Sequence, residues 1–298
     1  MSRCLVTGGA GRLGRSVIAV LAAAGHEVIS VDREQGEETT LRSVVCDLSD
    51  RAATAELFAE LRPEVVVHLA GIAVPFARPD HELYATNTGL AFSVLEASLG
   101  SGVTSLLFAS SPTLIGYGAP HGWKPEYLPI DERHPLAPWN AYALAKEAVE
   151  GLVAMVVRAH GDRLRIGAFR PCYVITPEEW AGAPTQQGHT VLERLDRPEL
   201  SAVALFNYLD ARDAGEFVRA WIDRAHTIPN GATFFVGAPD SLAREPVADL
   251  FARYRPELLD AAGGLGAHGA VFSSERAERL LGWRASRTWR TELAREKA

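Results

Sequence analysis

Tyr142 and Lys146 stand at i and i+4 in the run Tyr-Ala-Leu-Ala-Lys. On a helix this spacing stacks a phenol and an ammonium on one face. A free phenol, with a pKa of about 10, is a poor base near neutral pH. A nearby ammonium favours phenoxide and lowers that value toward working pH. The pair therefore suits proton transfer to and from a hydroxyl, with Tyr142 as the acid/base. The segment Phe108-Ala109-Ser110-Ser111-Pro112-Thr113 supplies hydroxyls that can donate to a substrate oxygen and orient it against Tyr142. Ser111 is the first choice, with Ser110 and Thr113 as neighbours sharing the task; the bland alternative is a Ser-Pro turn.

A second constellation lies near the N-terminus. Thr7-Gly8-Gly9-Ala10-Gly11-Arg12-Leu13-Gly14 places glycines at 8, 11 and 14 between an apolar run and a helical pattern. Gly8 permits a tight turn, Gly11 lets backbone approach a pyrophosphate, and Gly14 allows close helix–strand packing. The helix N-terminus then offers free N–H groups and its positive dipole end to the phosphates. Asp32 follows Gly14 by 18 residues and can accept both hydroxyls of an adenosine ribose. That favours NAD, while Arg33 and the loop residue Arg12 leave NADP open. Asp47-Leu48 is placed to meet adenine. With a dinucleotide there, Lys146 would also hold the nicotinamide ribose hydroxyls.

The elements that must position these groups are legible as alternating short and long segments. Strands are expected at Cys4–Thr7, Val28–Val31, Ser43–Cys46, Glu64–Leu69 and Ser105–Ala109. Helices are expected after Gly11 up to Gly25, over Ser49–Leu61 with Asp50 or Ser49 as cap, and over Leu83–Leu99. Val149, Leu152, Val153 and Val156 give the Tyr142/Lys146 helix its apolar stripe. Nearly continuous apolar strands separated by helices point to an α/β fold with a doubly wound parallel sheet covered on both faces. After Arg170-Pro171 the pattern loosens. Strands at Ala202–Phe206 and Thr233–Val236 and helices at Ala211–Ala225 and Ser274–Leu281 are expected there. The division is residues 1–170 for dinucleotide and catalytic groups, and 171–298 for a smaller, mainly substrate-binding region with segments returning to the core sheet. The segment Gly116–Asn140 carries Tyr117, His121, Trp123, Tyr127 and Trp139, and reads either as a cover on the substrate or as an apolar plug on the sheet edge.

Composition excludes several classes. The 298 residues, 47% hydrophobic and 22% charged, are ordinary for a globular protein with a buried core. A net charge of −7 argues against a nucleic-acid surface or a polybasic membrane anchor. No apolar stretch approaches the length of a membrane span, and the apolar run at the N-terminus is too short for a signal-peptide core. Cys4, Cys46 and Cys172 form no Cys-x-x-Cys pair, which suits a reducing cytoplasm. The nine histidines show no ligand spacing, so no metal is expected.

Together these residues resemble the extended short-chain dehydrogenase/reductases of the NAD-dependent epimerase/dehydratase family, whose dinucleotide half is a Rossmann sheet. The resemblance runs from the glycine loop through Asp32, Asp47-Leu48, His68-Leu69-Ala70-Gly71, Asn87-Thr88-Gly89, Ser110-Ser111, Tyr142/Lys146 and Arg170-Pro171 to Leu281-Gly282-Trp283. It implies that Leu69, Ala70 and Gly71 border the cofactor, that Asn87 lies on the nicotinamide side, and that Phe169 to Pro171 line its ring. Ala109, Ser110, Leu13 and Arg33 complete the implied cofactor set. Ala73, Ser111, Pro112, Thr113, Tyr142 and Tyr173 form the implied substrate set. It also implies a cytoplasmic homodimer through the helices near 83–101 and 138–160. The run from Phe108 to Tyr117 is similar to that of bacterial uronate dehydrogenases. Where 4,6-dehydratases carry Asp-Glu, this chain has Pro112-Thr113, which argues against dehydration. Tyr173 replaces an asparagine frequent in nucleotide-sugar epimerases, and Leu205-Phe206-Asn207 stands where an arginine for the diphosphate is frequent. Arg194, Arg197 and Arg212 are its possible substitutes. The expected reaction is hydride transfer at a hydroxyl-bearing carbon of a free or nucleotide-linked sugar, by a dehydrogenase or an epimerase; the alternative is a non-catalytic NAD sensor or scaffold.

Overall fold

A computed structural model describes residues 1–36 and 41–295. Seven parallel strands form one sheet: β1 (Arg3–Thr7), β2 (Glu27–Asp32), β3 (Arg42–Val45), β4 (Val65–His68), β5 (Ser105–Ala109), β6 (Arg165–Pro171) and β9 (Thr233–Val236). Their spatial order is β3-β2-β1-β4-β5-β6-β9, so the winding reverses between β1 and β4. The helices α1 (Arg12–Ala23), α2 (Arg51–Leu61), α3 (Asp80–Ser101) and α4 (Ala141–His160) make the crossovers in the first half. This is the doubly wound parallel sheet expected from the strand–helix alternation, and the reversal is where sheets of this kind receive ligands.

Successive side chains of a strand point to opposite faces, and the core divides accordingly. Cys4, Val6, Val65, Val67 and Leu107 join one cluster, which α1 and α8 (Ala211–Arg224) cover with Val17, Leu21, Phe217, Val218 and Trp221. Leu5, Val66, Leu106 and Phe108 join the other, covered by Phe58 of α2, Val94 and Leu95 of α3, and Val149, Leu152 and Val153 of α4. Burying an aromatic or branched side chain of this kind stabilises by about 1.5–3 kcal/mol. Local signals set the helix ends: Asp50 accepts from Ala52 N and Ala53 N at the start of α2, and Asn140 accepts from Ala143 N at the start of α4.

The second half is built differently. A two-stranded parallel pair, β7 (Val174–Ile175) and β8 (Leu209–Asp210), stands beside the main sheet. Around it lie the short helices α5 (Pro177–Trp180), α6 (Val191–Asp196) and α7 (Glu199–Ala202), then α9 (Val247–Tyr254), α10 (Glu275–Leu281) and α11 (Trp289–Arg295). The strand expected at Ala202–Phe206 does not form. Ala202 ends α7, and Leu205 and Phe206 turn through the left-handed region at φ 51° and 57°. Both are wholly buried, so the apolar run fills the core from a turn, where pattern alone does not separate it from a strand. Thr233–Val236, in contrast, returns to the main sheet beside β6 as expected.

Candidate active site

The glycine loop joins β1 to α1 at the carboxyl edge of the sheet. Gly8 sits at φ +71°, and a Cβ there would lie 2.7 Å from Ala70 N. A Cβ on Gly14 would lie 2.2 Å from the Gly8 carbonyl oxygen, so both positions admit only glycine without a shift. Gly11 is the N-cap of α1 and brings no side chain to it. The first N–H groups of α1, those of Arg12, Leu13 and Gly14, thus face the loop without intrahelical acceptors. Asp32 closes β2 and accepts from Ala10 N at 3.1 Å and Arg33 N at 2.8 Å, which ties the loop to the second strand. Such a cradle fits the pyrophosphate of a dinucleotide.

Neighbouring strand ends complete this edge. Thr7 Oγ1 is hydrogen-bonded to His68 Nδ1 at 2.8 Å and accepts from Ala70 N, fixing Leu69 and Ala70 beside the loop. Asn87 of α3 accepts from Ile72 N at 2.8 Å and donates to Ile72 O, which holds the backbone between Gly71 and Ala73. Asp47 is exposed at the end of β3, where hydrogen bonds from Ser49 hold its carboxyl below the usual range, while Leu48 is buried. The Arg33 side chain is exposed beside Glu34.

Arg12 takes a different course from the one its place in the loop suggests. Its guanidinium crosses to the second half, donating to Val174 O at 3.1 Å and Gln186 Oε1 at 2.7 Å and pairing with Glu179 at 2.5 Å. Its side chain thereby anchors the segment after β7 to the phosphate loop.

The residues expected to act as acid and base come together from the end of β5 and from α4. Ser111 follows β5 and accepts from Thr113 N at 3.2 Å and Thr113 Oγ1 at 2.9 Å, with Pro112 buried between them. Tyr142 and Lys146 occupy one face of α4, with the Lys146 Nζ 5.7 Å from the Tyr142 ring centroid. Lys146 donates to Ala109 O at 2.7 Å. Burial pulls its ammonium down to about 8, against an upward pull from Glu150. For Tyr142, burial raises the phenol above its ordinary value and the hydrogen bond with Ser111 opposes this. The lowered phenol expected from the sequence is therefore not the net result, because desolvation outweighs the hydrogen bond with Ser111, while Lys146 is engaged by the Ala109 carbonyl. His68 at the end of β4 is held neutral to about 3 by burial and by the charge of Lys146.

Of the remaining expected site residues, Ser110 turns away from Ser111 and donates to Glu150 Oε1 at 2.6 Å. Phe169 is wholly buried against Phe217, with ring centroids 5.4 Å apart, and Pro171 is half-buried at the end of β6. Ala73 is exposed on the loop after β4. Tyr173 receives the guanidinium of Arg194 over its ring at 4.6 Å, and its own N–H donates to Asn207. Arg194 is buried and donates to Leu200 O and Gln187. Arg212 pairs with Asp210 and Glu292, and Arg197 with Glu199. In the Gly116–Asn140 segment Trp123 donates to Ile115 O and Tyr117 meets Trp123 and Phe272, while Trp139 and His121 are exposed, Trp139 donating to Tyr117 O.

Glu150 and Arg170 form a bidentate pair at 2.9 and 2.7 Å behind these residues, and Glu150 escaped the sequence reading. The sequence offers only its spacing, one turn past Lys146 on the face that carries Tyr142.

Comparison with known proteins agrees with this geometry. The family model described as "NAD dependent epimerase/dehydratase family" matches residues 4–237. The chain belongs to that family. Among curated relatives, the UDP-glucose 4-epimerase of Mus musculus is 30% identical over 180 residues, 53% of this chain and 50% of the relative. The L-arabinose 1-dehydrogenase (NAD(P)(+)) of Haloferax volcanii is 31% identical over 185 residues, 60% of this chain and 70% of the relative. The chain thus spans about half the length of the first of these and of the Azospirillum brasilense UDP-glucose 4-epimerase, of which 46% is matched. Among solved structures, a short-chain dehydrogenase/reductase superfamily protein from Agrobacterium tumefaciens with bound NAD superposes at a TM-score of 0.73 and 23% identity, over 98% of this chain and 95% of that one. The Bifidobacterium longum UDP-glucose 4-epimerase in complex with NAD+ and UDP gives 0.71 at 20% identity, over 98% and 96%. At these identities the likeness establishes the fold.

Proposed function

We propose that this chain is an NAD-dependent oxidoreductase that interconverts a hydroxyl and a carbonyl on a sugar or sugar derivative. The observation that carries this reading is Tyr142 beside Ser111 and Lys146, all at the sheet edge that holds the glycine cradle. NAD, when bound along that edge, supplies the hydride acceptor or donor. Tyr142 as phenoxide accepts the proton of the substrate hydroxyl and returns it in the reverse direction. Ser111 donates to the same oxygen and stabilises the charge that develops there. Lys146 holds the ribose and keeps positive charge near the phenol.

In this reading residues 1–170 bind the dinucleotide and carry the acid/base, and residues 171–298 shape the substrate site. The cofactor-binding set is Gly8, Gly11, Arg12, Leu13, Gly14, Asp32, Arg33, Asp47, Leu48, Leu69, Ala70, Gly71, Asn87, Ala109, Ser110, Phe169 and Pro171, with Tyr142 and Lys146. Arg12 contributes its N–H, since its side chain is engaged elsewhere. Ala73, Pro112, Thr113 and Tyr173 join Ser111 and Tyr142 around the substrate. We favour a free sugar, because Arg197 and Arg212 are already matched by carboxylates, Arg194 is engaged by Leu200 O, Gln187 and the Tyr173 ring, and a buried diphosphate needs a cation. Names of relatives include both an epimerase and a sugar dehydrogenase. A homodimer in a reducing cytoplasm is part of the proposal; exposed Tyr84 and Phe92 on α3 and Leu144 and Met155 on α4 support the dimer face.

The test is to mix the purified protein with NAD and a panel of uronic acids, aldoses and nucleotide sugars. Stoichiometric NADH identifies a dehydrogenase. Interconversion of sugars without NADH identifies an epimerase, and NAD binding with neither identifies a non-catalytic NAD-binding module.

A further inference from the structure

Behind the site, three elements meet in one buried knot of charge. Glu150 of α4 is bound by Arg170 of β6 through two hydrogen bonds, and their side chains are only 9% and 3% exposed. Ser110, which is also buried, donates to the same carboxylate from the end of β5. Ser110 sits between Ala109, whose carbonyl holds Lys146, and Ser111, whose hydroxyl faces Tyr142. Glu150 thereby fixes both arms of the constellation: the strand end that presents Ser111, and the helix that presents Tyr142 and Lys146.

We propose that Glu150 is the positioning residue of this site, setting the placement of Ser111 and the charge of Lys146 through one buried carboxylate. The inference rests on the reading of Tyr142 and Lys146 as the acid/base pair. The arrangement of charges supports it. Lys146 and Arg170 both act on the Glu150 carboxylate, with Glu132 a second carboxylate near Arg170, and Arg170 Nη1 has no hydrogen-bond partner among the described residues. Its guanidinium instead lies 4.8 Å over the Phe235 ring. Without Glu150, two desolvated cations would face each other, and Lys146 would be the one to lose its proton, since arginine does not.

The groups facing this knot are few. Lys146 faces His68 from β4, which is neutral above about 3, with Tyr142 and Glu150 from its own helix. Glu150 faces Arg170 and Ser110. Arg170 in turn lies near Glu132 of the 116–140 segment, whose other cation is Arg276 of α10.

Lys146 can be watched directly, because the chain contains only three lysines, Lys124, Lys146 and Lys297. The experiment follows the ammonium resonances of the full-length, 15N-lysine-labelled protein against pH. In the wild type Lys146 titrates near 8. In Glu150→Gln the midpoint falls by about one pH unit or more. In Arg170→Gln, which leaves the carboxylate to Lys146, it rises. A purely structural role lowers the melting temperature of both variants and moves neither midpoint in these opposite senses. An unmoved Lys146 titration in either folded variant overturns the proposal; if Glu150→Gln does not fold, Arg170→Gln decides it. No substrate enters the measurement, so a failure of the sugar-oxidoreductase reading shows in the turnover panel and not here.

Discussion

The two sides of the cleft are built by different means. On the cofactor side, parallel ladders fix the register of every strand end: Thr7 lies opposite Val31 and His68, and Phe108 opposite His68 and Ala168. The residues at those ends are thereby delivered to one edge by backbone alone. On the other side, short helices and turns are held by side chains far apart in sequence. Arg12 reaches Glu179 and Gln186, Arg212 reaches Glu292, and Asp213 accepts from Ser286 and Arg287. Under the proposed function the first side carries the dinucleotide and the acid/base groups, and the second shapes the substrate site.

Variants separate the two sides most sharply where the effect is largest. Lys146→Met removes the cation beside the phenol and should lower turnover on the order of 10²–10³-fold, with the fold intact by circular dichroism. Gly14→Ala tests the rigid side itself. Its new methyl collides with the Gly8 carbonyl, and denaturant unfolding should show a loss of about 1–3 kcal/mol together with weaker NAD binding. Arg12→Met tests the side-chain-held side. It leaves the buried Glu179 without its cation, costing about 1–3 kcal/mol, and should raise KM for the sugar more than it lowers kcat. A similar rise in the NAD dissociation constant with no change in sugar KM would erase the distinction.

A pH slope probes the switch between the halves of the sheet. His68 has a folded-state value of about 3 against an ordinary 6.5, so between these the unfolded chain binds the extra proton. Stability contributed by neutral His68 is present above 6.5 and is lost as pH falls toward 3. His68→Asn should flatten the dependence of the unfolding midpoint on pH across that window.

What was legible in the sequence follows the same division. The glycine loop, Asp32, β5 and the Tyr142/Lys146 face were readable because strand–loop–helix periodicity and local caps specify them. The turn at Leu205 and Phe206 was not, since a short buried run looks alike in a strand and in a turn. Nor was Glu150, because an acid one turn after a lysine has the pattern of an exposed helix pair. Only the approach of β6, which brings Arg170, makes it a buried one. The tie from Arg12 to Glu179 spans 167 positions and leaves no periodic trace.

In the proposed function Tyr142 moves the substrate proton while a dinucleotide lies across the sheet edge. Tyr142→Phe tests it most directly, with NAD binding measured by calorimetry and turnover measured on a sugar identified from the panel. NAD affinity should stay within a few-fold of wild type while turnover falls by at least about 10²-fold. Unchanged turnover in this variant, or no dinucleotide binding by the wild type, would contradict it.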